Sequence, residues 1–345
     1  MQPAVGLMQR NGVFFALFFL TLYFSVASER FLAFGNFEVI LVQAAVVGII
    51  AVPGAMLVIS GYVDLSVGSV AVFTSIVFGA VFAAQESLAL ALVVALGVAT
   101  AWGVLNGVLV AFLGLSPIIV TLGGLAAGRG VAQVISEGGT VFGFGREFAY
   151  LGNGEFLGVR TPVWIALGVV LLGAFVWYQM PYGRHMMAIG ADRAAAHSLG
   201  VAVRQIPFTL YVVSGFAAGA AGVIITARLD AASLSIGTGL ELEVLTAILL
   251  GGVAFTGGRG SLAGVVWGVL FIAVLTNGLT HVGVSPGWTR VALGVALVMA
   301  AALDVIYQRL ERLPVRDTEL EREQAEVTKG GTGLDRDEPN DKEGE

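Results

Sequence analysis

The sequence contains no cysteine. Disulfide bridges, thiolate nucleophiles and cysteine-bound zinc or iron–sulfur groups are therefore excluded. Histidine occurs three times, at His185, His197 and His281, too scattered for a histidine metal cluster. Lysine occurs only at Lys329 and Lys342, and neither is followed by Ser or Thr. A phosphate-binding P-loop needs that Lys–Ser/Thr pair, so the chain does not bind ATP in that way. Charge of either sign is sparse, 12% of the 345 residues against 57% hydrophobic, where an ordinary soluble domain carries about 25% charge. So little charge cannot supply a hydrated exterior. Most soluble enzymes are excluded, as is any nucleic-acid binder that relies on a basic surface. No nucleophile–base pair stands out either, and the composition leaves a polytopic membrane protein.

The net charge of −6 is unevenly placed. Residues 317–345 hold eleven acids and four bases, whereas residues 1–316 hold 14 bases, all arginine, and 13 acids. The domain reading follows that split, with 1–316 as a transmembrane domain and 317–345 as an acidic tail. Nearly free of apolar side chains, the tail cannot bury enough surface to order itself. It is expected to be a disordered cytoplasmic extension.

An apolar run of about 20 residues crosses the hydrocarbon core as a helix. Ten segments qualify, at 12–28, 39–60, 66–84, 88–112, 117–136, 162–179, 206–227, 241–255, 262–280 and 288–308. The fold class expected is all-α, a polytopic membrane bundle of about ten transmembrane helices. The segment 241–255 is short and begins with two acids, so a tilted, half-buried or broken helix is expected there. Arg10 ahead of an apolar stretch and the small residues Ser25 and Ala27 also fit a signal peptide. A permanent helix is preferred, because the remaining spans already commit the chain to the membrane.

Arginine in short loops reports orientation. With the N-terminus inside, Arg10, Arg184, Arg193, Arg204, Arg259, Arg309, Arg312 and Arg316 are cytoplasmic, against Arg30, Arg146, Arg160, Arg228 and Arg290 outside. The bias places both termini in the cytoplasm of a multi-pass protein of the cell membrane. Residues 137–161 are then an outer Gly-rich loop or lid with Phe142, Phe144, Phe148 and Tyr150. Residues 180–205 are inside. Within them Asp192, an N-cap residue type, precedes Ala194, Ala195 and Ala196, strong helix formers, so a short amphipathic helix is expected over 191–197.

Many of the 48 glycines lie four apart, as in Gly103/Gly107, Gly124/Gly128, Gly215/Gly219 and Gly260/Gly264/Gly268. That spacing lets helix backbones approach closely in lipid, within the bundle or at a dimer face. Polar groups near the spans are few and expensive, and they are the candidates for a translocation path or gate. Asp64 and Ser66 lie in a Gly-bounded stretch between two spans, where Asp64 either caps the following helix or takes part in gating. Arg129 shares a helix face with Gln133 and Glu137; it lines a polar path, pairs internally, or snorkels to the headgroups. Asn106 and Asn277 each precede a glycine inside a span, and serve interhelical hydrogen bonding or substrate contact. Glu241 and Glu243 do not share a face, which argues against a proton relay.

Four blocks carry a resemblance. Asp64-Leu65-Ser66-Val67-Gly68-Ser69 is the first, and Pro117-Ile118-Ile119-Val120-Thr121-Leu122-Gly123 with Arg129-Gly130 is the second. The third runs from Ala188 to Ala196 with Gly200-Val201, and the fourth joins Gly237–Leu242, Leu250-Gly251-Gly252 and Gly257–Ser261. In this order they resemble the signatures of ribose/xylose-type permease subunits of ABC sugar importers, over roughly residues 40–305. Ala191, Asp192 and Ile118 stand where that family usually has Gly, Asn and Phe. The resemblance implies a permease that works as a pair, with a second copy or a paralogue. It implies separate ATPase subunits that bind ATP and magnesium, an extracytoplasmic sugar-binding protein, and no cofactor in this chain. It also implies a cytoplasmic coupling helix carrying Ala188, Gly190, Asp192, Arg193, Ala195, Ala196 and Gly200, and it adds Thr121 to the path candidates. Competing readings are an ion-coupled secondary transporter, for which Asp64 is the carboxylate at hand, a scaffold or channel component, and an ABC permease for nucleosides or another small solute. Nucleic acid is not an expected partner.

Overall fold

The computed structural model describes residues 2–312, with side chains from 12 to 306. The chain divides into two units, Met1–Ala301 and Ala302–Glu345. The boundary expected at 316 and the acidic tail lie outside the described residues.

The architecture is all-helical apart from two short strand pairs. In order come α1 (Gln2–Ala27), α2 (Phe34–Ile59), α3 (Val67–Gln85), α4 (Leu88–Gly107), α5 (Pro117–Ser136), α6 (Arg146–Asn153) and α7 (Thr161–Ala174). They are followed by α8 (Pro181–Ala191), α9 (Arg193–Ser198), α10 (Gln205–Leu229), α11 (Leu240–Leu250), α12 (Leu262–His281) and α13 (Pro286–Arg312). Single π-helical turns extend α4 through Phe112 and α7 through Gln179. Strand β1 (Val141–Phe142) pairs antiparallel with β4 (Ala231–Ala232), and β2 (Glu155–Phe156) with β3 (Val159–Arg160).

Eight described helices are long and apolar enough to cross a membrane. Of the two other predicted segments, 12–28 forms the apolar end of α1, Gly12–Ala27. Segment 241–255 is α11, only 11 residues and so about 17 Å long, against a hydrocarbon core of about 30 Å. It stops because Gly252 adopts a left-handed conformation that lets the Val253 N–H reach back to the Ile248 carbonyl at 3.3 Å.

Helix α2 is apolar on every side and sits at the centre, against α7, α10, α11 and α12. Glycines set the closest approaches. A Cβ on Gly215 of α10 would lie 2.6 Å from the Ala99 carbonyl of α4, and Gly264 and Gly268 of α12 meet the backbone of α11. The glycine spacing thus works inside the bundle, bringing main chain against main chain. The outer loop expected at 137–161 folds into β1, α6 and the β2–β3 hairpin. Phe148 stacks on Phe78 at 4.3 Å and Phe144 meets it edge-on at 5.0 Å, while Phe142 and Tyr150 stay exposed.

Candidate functional site

Between α2 and α3 the chain leaves the helix at Ser60, turns at Gly61 (φ +81°) and runs non-helically to Ser66. This stretch reaches Ser214 of α10, nine residues from that helix's start and so about 14 Å along it, which is deep inside the bundle. Irregular backbone at such depth must be buried in protein or line a cavity. Here it is buried. The Val63 carbonyl accepts from the Tyr211 hydroxyl at 2.9 Å.

Asp64 organises the break. Its Oδ1 accepts from the Ser66 backbone N–H at 3.0 Å and the Ser66 hydroxyl at 2.6 Å, and its Oδ2 from the Ser214 hydroxyl at 2.8 Å. The Ser66 Oγ accepts in turn from Asn106 Nδ2 at 2.9 Å. Ser69 Oγ lies 2.8 Å from the Ser66 carbonyl and 3.2 Å from that of Gly124. Asp64, Ser66, Asn106 and Ser214 therefore join α3, α4 and α10 in one network, and α5 seals it, since a Cβ on Gly124 would crowd Ser66. Thr121, three residues earlier on α5, is buried and donates to its own helix at the Pro117 carbonyl, 2.8 Å.

Arg129 pairs internally. Its Nη2 lies 3.2 Å from Glu241 Oε1, with the side chains 40% and 11% exposed. Glu241 opens α11 and presses its carboxyl against Gly68 near the start of α3. Glu241 Oε2 and Arg129 Nε are buried without further partners. Removing one member leaves the other charge less compensated than removing both. We therefore expect R129M to unfold at a lower temperature in detergent than R129M/E241Q; equal midpoints would show that the pair carries no coupling.

Asn277 is placed elsewhere. Its Nδ2 donates to Asn36 Oδ1 at 2.8 Å, which His281 Nε2 also meets at 2.8 Å, and Asn36 Nδ2 donates to the Phe31 carbonyl at 2.7 Å. This clip fastens the α1–α2 turn to the end of α12 and shares no member with the Asp64 network.

The loop 180–205 contains two helices where the sequence suggested one. Helix α9 begins at the expected cap, Asp192 Oδ1 accepting from Ala194 N at 2.8 Å and Ala195 N at 3.0 Å. The unforeseen α8 opens on Pro181, whose ring suits a first helical position. Burial pushes the Tyr182 hydroxyl above its ordinary pKa, so it stays protonated between the Ile206 carbonyl, at 3.1 Å, and Thr209. Ala196 and Ile189 are buried, whereas Asp192, Arg193, Ala195 and Gly200 are exposed, and Ala188 is intermediate. Leu199, which the motif did not single out, is 84% exposed beside them. Only its apolar character in a polar loop could have signalled it.

Gly190 connects this loop to the Asp64 network. Its Cα faces the end of α2 so closely that a Cβ would overlap the Ile59 carbonyl oxygen and lie 2.5 Å from Gly258 N. That Gly258 N–H donates to the same Ile59 carbonyl at 2.7 Å, and Gly257 backs onto Gly61. Arg193 lies over the Tyr62 ring, 5.9 Å from its centroid, and Tyr62 meets Tyr211 edge-on at 6.4 Å. Helices α8 and α9 are thereby packed directly against the segment holding Asp64. Among the described residues no group of three or more acidic or histidine side chains could hold a metal ion.

A family model described as the permease component of the branched-chain amino acid transport system matches residues 36–301. The ribose import permease protein of Bacillus subtilis (strain 168) is 32% identical over 304 residues, 87% of this chain and 94% of the relative. Its counterpart in Escherichia coli (strain K12) is 35% identical over 84% of this chain and 91% of its own length. The D-allose transport system permease protein of that strain is 34% identical over 86% and 91%. No solved structure matches the chain significantly.

Proposed function

The chain belongs to this family of transport-system permease components, and from that premise we propose that its cargo is a ribose-like monosaccharide. The observation that carries the reading is similarity across more than four fifths of the chain to permeases named for ribose and allose. Import is powered by separate ATPase subunits, which bind ATP and magnesium, and sugar is delivered by a binding protein on the opposite face. The permease acts as a pair with a second copy or a paralogue. Both termini and the α8–α9 loop face the cytoplasm, in keeping with Arg184, Arg193 and Arg204 in that loop. An ion-coupled cycle would need a carboxylate free to change partners, whereas both oxygens of Asp64 are engaged by serines.

In this reading α8 and α9 form the coupling element. Gly190 and Ala196 seat it on the bundle, and Asp192, Arg193, Ala195, Leu199 and Gly200 face the ATPase. ATP-driven closure moves it against Ile59 and Gly258, and the displacement reaches Asp64, Ser66 and Asn106 through the 60–66 segment. Arg129 and Thr121 lie along the path, and Asn277 holds the outer end.

The test is reconstitution of the permease with its partner subunits, screening sugars for binding-protein-dependent stimulation of ATP hydrolysis. A pentose or hexose that stimulates supports the proposal; stimulation by amino acids or nucleosides alone overturns the cargo assignment. L199D places a charge on an exposed position and leaves the bundle untouched. It should cut co-purification of the ATPase at least tenfold with normal membrane insertion; undiminished co-purification would remove α9 from the contact.

A further inference from the structure

At the end of the bundle that carries α6 lies a cleft of about 330 Å³, bounded by the first turns of α2, the end of α6, Arg160 and the last turn of α10. Its polar groups are Glu38, Asn153, Arg160 and Arg228, and its apolar floor is Val39 and Val42. Arg160 is engaged, donating to the Asn153 carbonyl at 2.8 Å and lying 3.5 Å from Glu38 Oε2. Arg228 is different. Although half-buried, its guanidinium has no ion pair or hydrogen bond to any described residue. Two guanidiniums against one carboxylate leave the cleft with one positive charge in excess.

The surroundings indicate what neutralises it. Val39 and Val42 lead down α2, and Trp164 stands one turn beyond Arg160 on α7. Phe34, Phe37, Phe156 and Leu157 are exposed at the same end, an apolar surface suited to acyl chains, and Trp164 is a residue type enriched at the membrane interface. Gly35 lines the cleft, and a Cβ there would stand in open space, with no atom within 4 Å. A soluble anion would gain nothing from the apolar floor, while a lipid uses both parts.

We propose that this cleft binds the phosphodiester headgroup of an anionic phospholipid. Phosphate oxygens accept from Arg228 and Arg160, in the forked geometry a guanidinium offers to phosphate. The first acyl carbons lie along Val39 and Val42. The bound lipid supplies the counter-charge that Arg228 lacks and fixes the α2–α6–α10 corner at the membrane surface.

The experiment uses the full chain, purified and exchanged into phosphatidylglycerol or phosphatidylcholine, with retained lipid counted by native mass spectrometry. The parent protein should retain phosphatidylglycerol at least tenfold better than phosphatidylcholine. R228Q should lose that preference, and so should G35F, which fills the mouth without removing charge. Should R228Q fail to fold, G35F decides, because Gly35 is exposed and its side-chain direction is empty. Equal retention of phosphatidylglycerol by parent and both variants overturns the proposal. Displacement of the lipid by millimolar glycerol 1-phosphate overturns it in favour of a soluble phosphate. If R228Q instead weakens capture of the binding protein with lipid retention unchanged, the cleft receives a protein carboxylate and the lipid assignment falls.

Discussion

G190A is expected to abolish sugar uptake while the protein still inserts into the membrane. The added methyl would overlap the Ile59 carbonyl and approach Gly258 N to 2.5 Å. Both are main-chain atoms, so no rotamer change relieves the clash, and α8 must move away from α2. Overpacking of this kind costs typically about 1–3 kcal/mol, small against the burial that holds the spans together but enough to unseat a surface loop. The Gly258–Ile59 hydrogen bond at 2.7 Å would open at the same time. Uptake should fall at least tenfold, with G190P or deletion of 190–200 more severe. ATP hydrolysis should no longer respond to the binding protein. G97A is the control, because a Cβ on Gly97 meets nothing within 4 Å; it should transport normally. Parental uptake and coupling in G190A would show that force does not pass through this joint.

Replacing Asp64 should have an effect of similar size by a different route. In D64A three donors lose their acceptor: the Ser66 N–H, the Ser66 hydroxyl and the Ser214 hydroxyl. An unsatisfied buried donor costs about 1–3 kcal/mol, and the lost bonds are those that hold the start of α3 to α10. D64A should therefore unfold well below the parent in detergent, accumulate poorly and fail to transport. D64N keeps one carbonyl acceptor, and the Ser214 hydroxyl can turn to accept from the new amide, so its loss should be intermediate. An ion-coupled carrier gives the opposite pattern, with D64N stable and inactive. Thermal unfolding and uptake measured on both variants separate the two, and a D64A protein as stable as the parent would remove Asp64 from its organising role.

How legible this architecture was depended on the range of each interaction. The Asp192 cap was readable because donor and acceptor lie two and three residues apart. Spans such as Phe34–Ile59 were readable because apolar length alone decides them. Helix α8 was missed, since Pro181, Gly183 and two charged or polar neighbours read as a loop. It forms because proline suits its first position, and Gly183 lets it fold tightly back on the Trp177 carbonyl. The partner of Arg129 was illegible for the opposite reason. Glu241 is 112 residues away on a short helix, and nothing local links the two.

By itself the sequence determined a lysine-poor, cysteine-free bundle of apolar helices without a P-loop. Those features follow from composition and from periodicities a few residues long. Only the tertiary structure decided which costly polar groups meet inside the bundle: Asp64 with Ser214, Asn106 with Ser66, Arg129 with Glu241, Asn277 with Asn36. Such pairings depend on the rotation and depth of each helix. Those are set by the glycine contacts between α4 and α10 and by the non-helical residues between α2 and α3, which no single helix specifies.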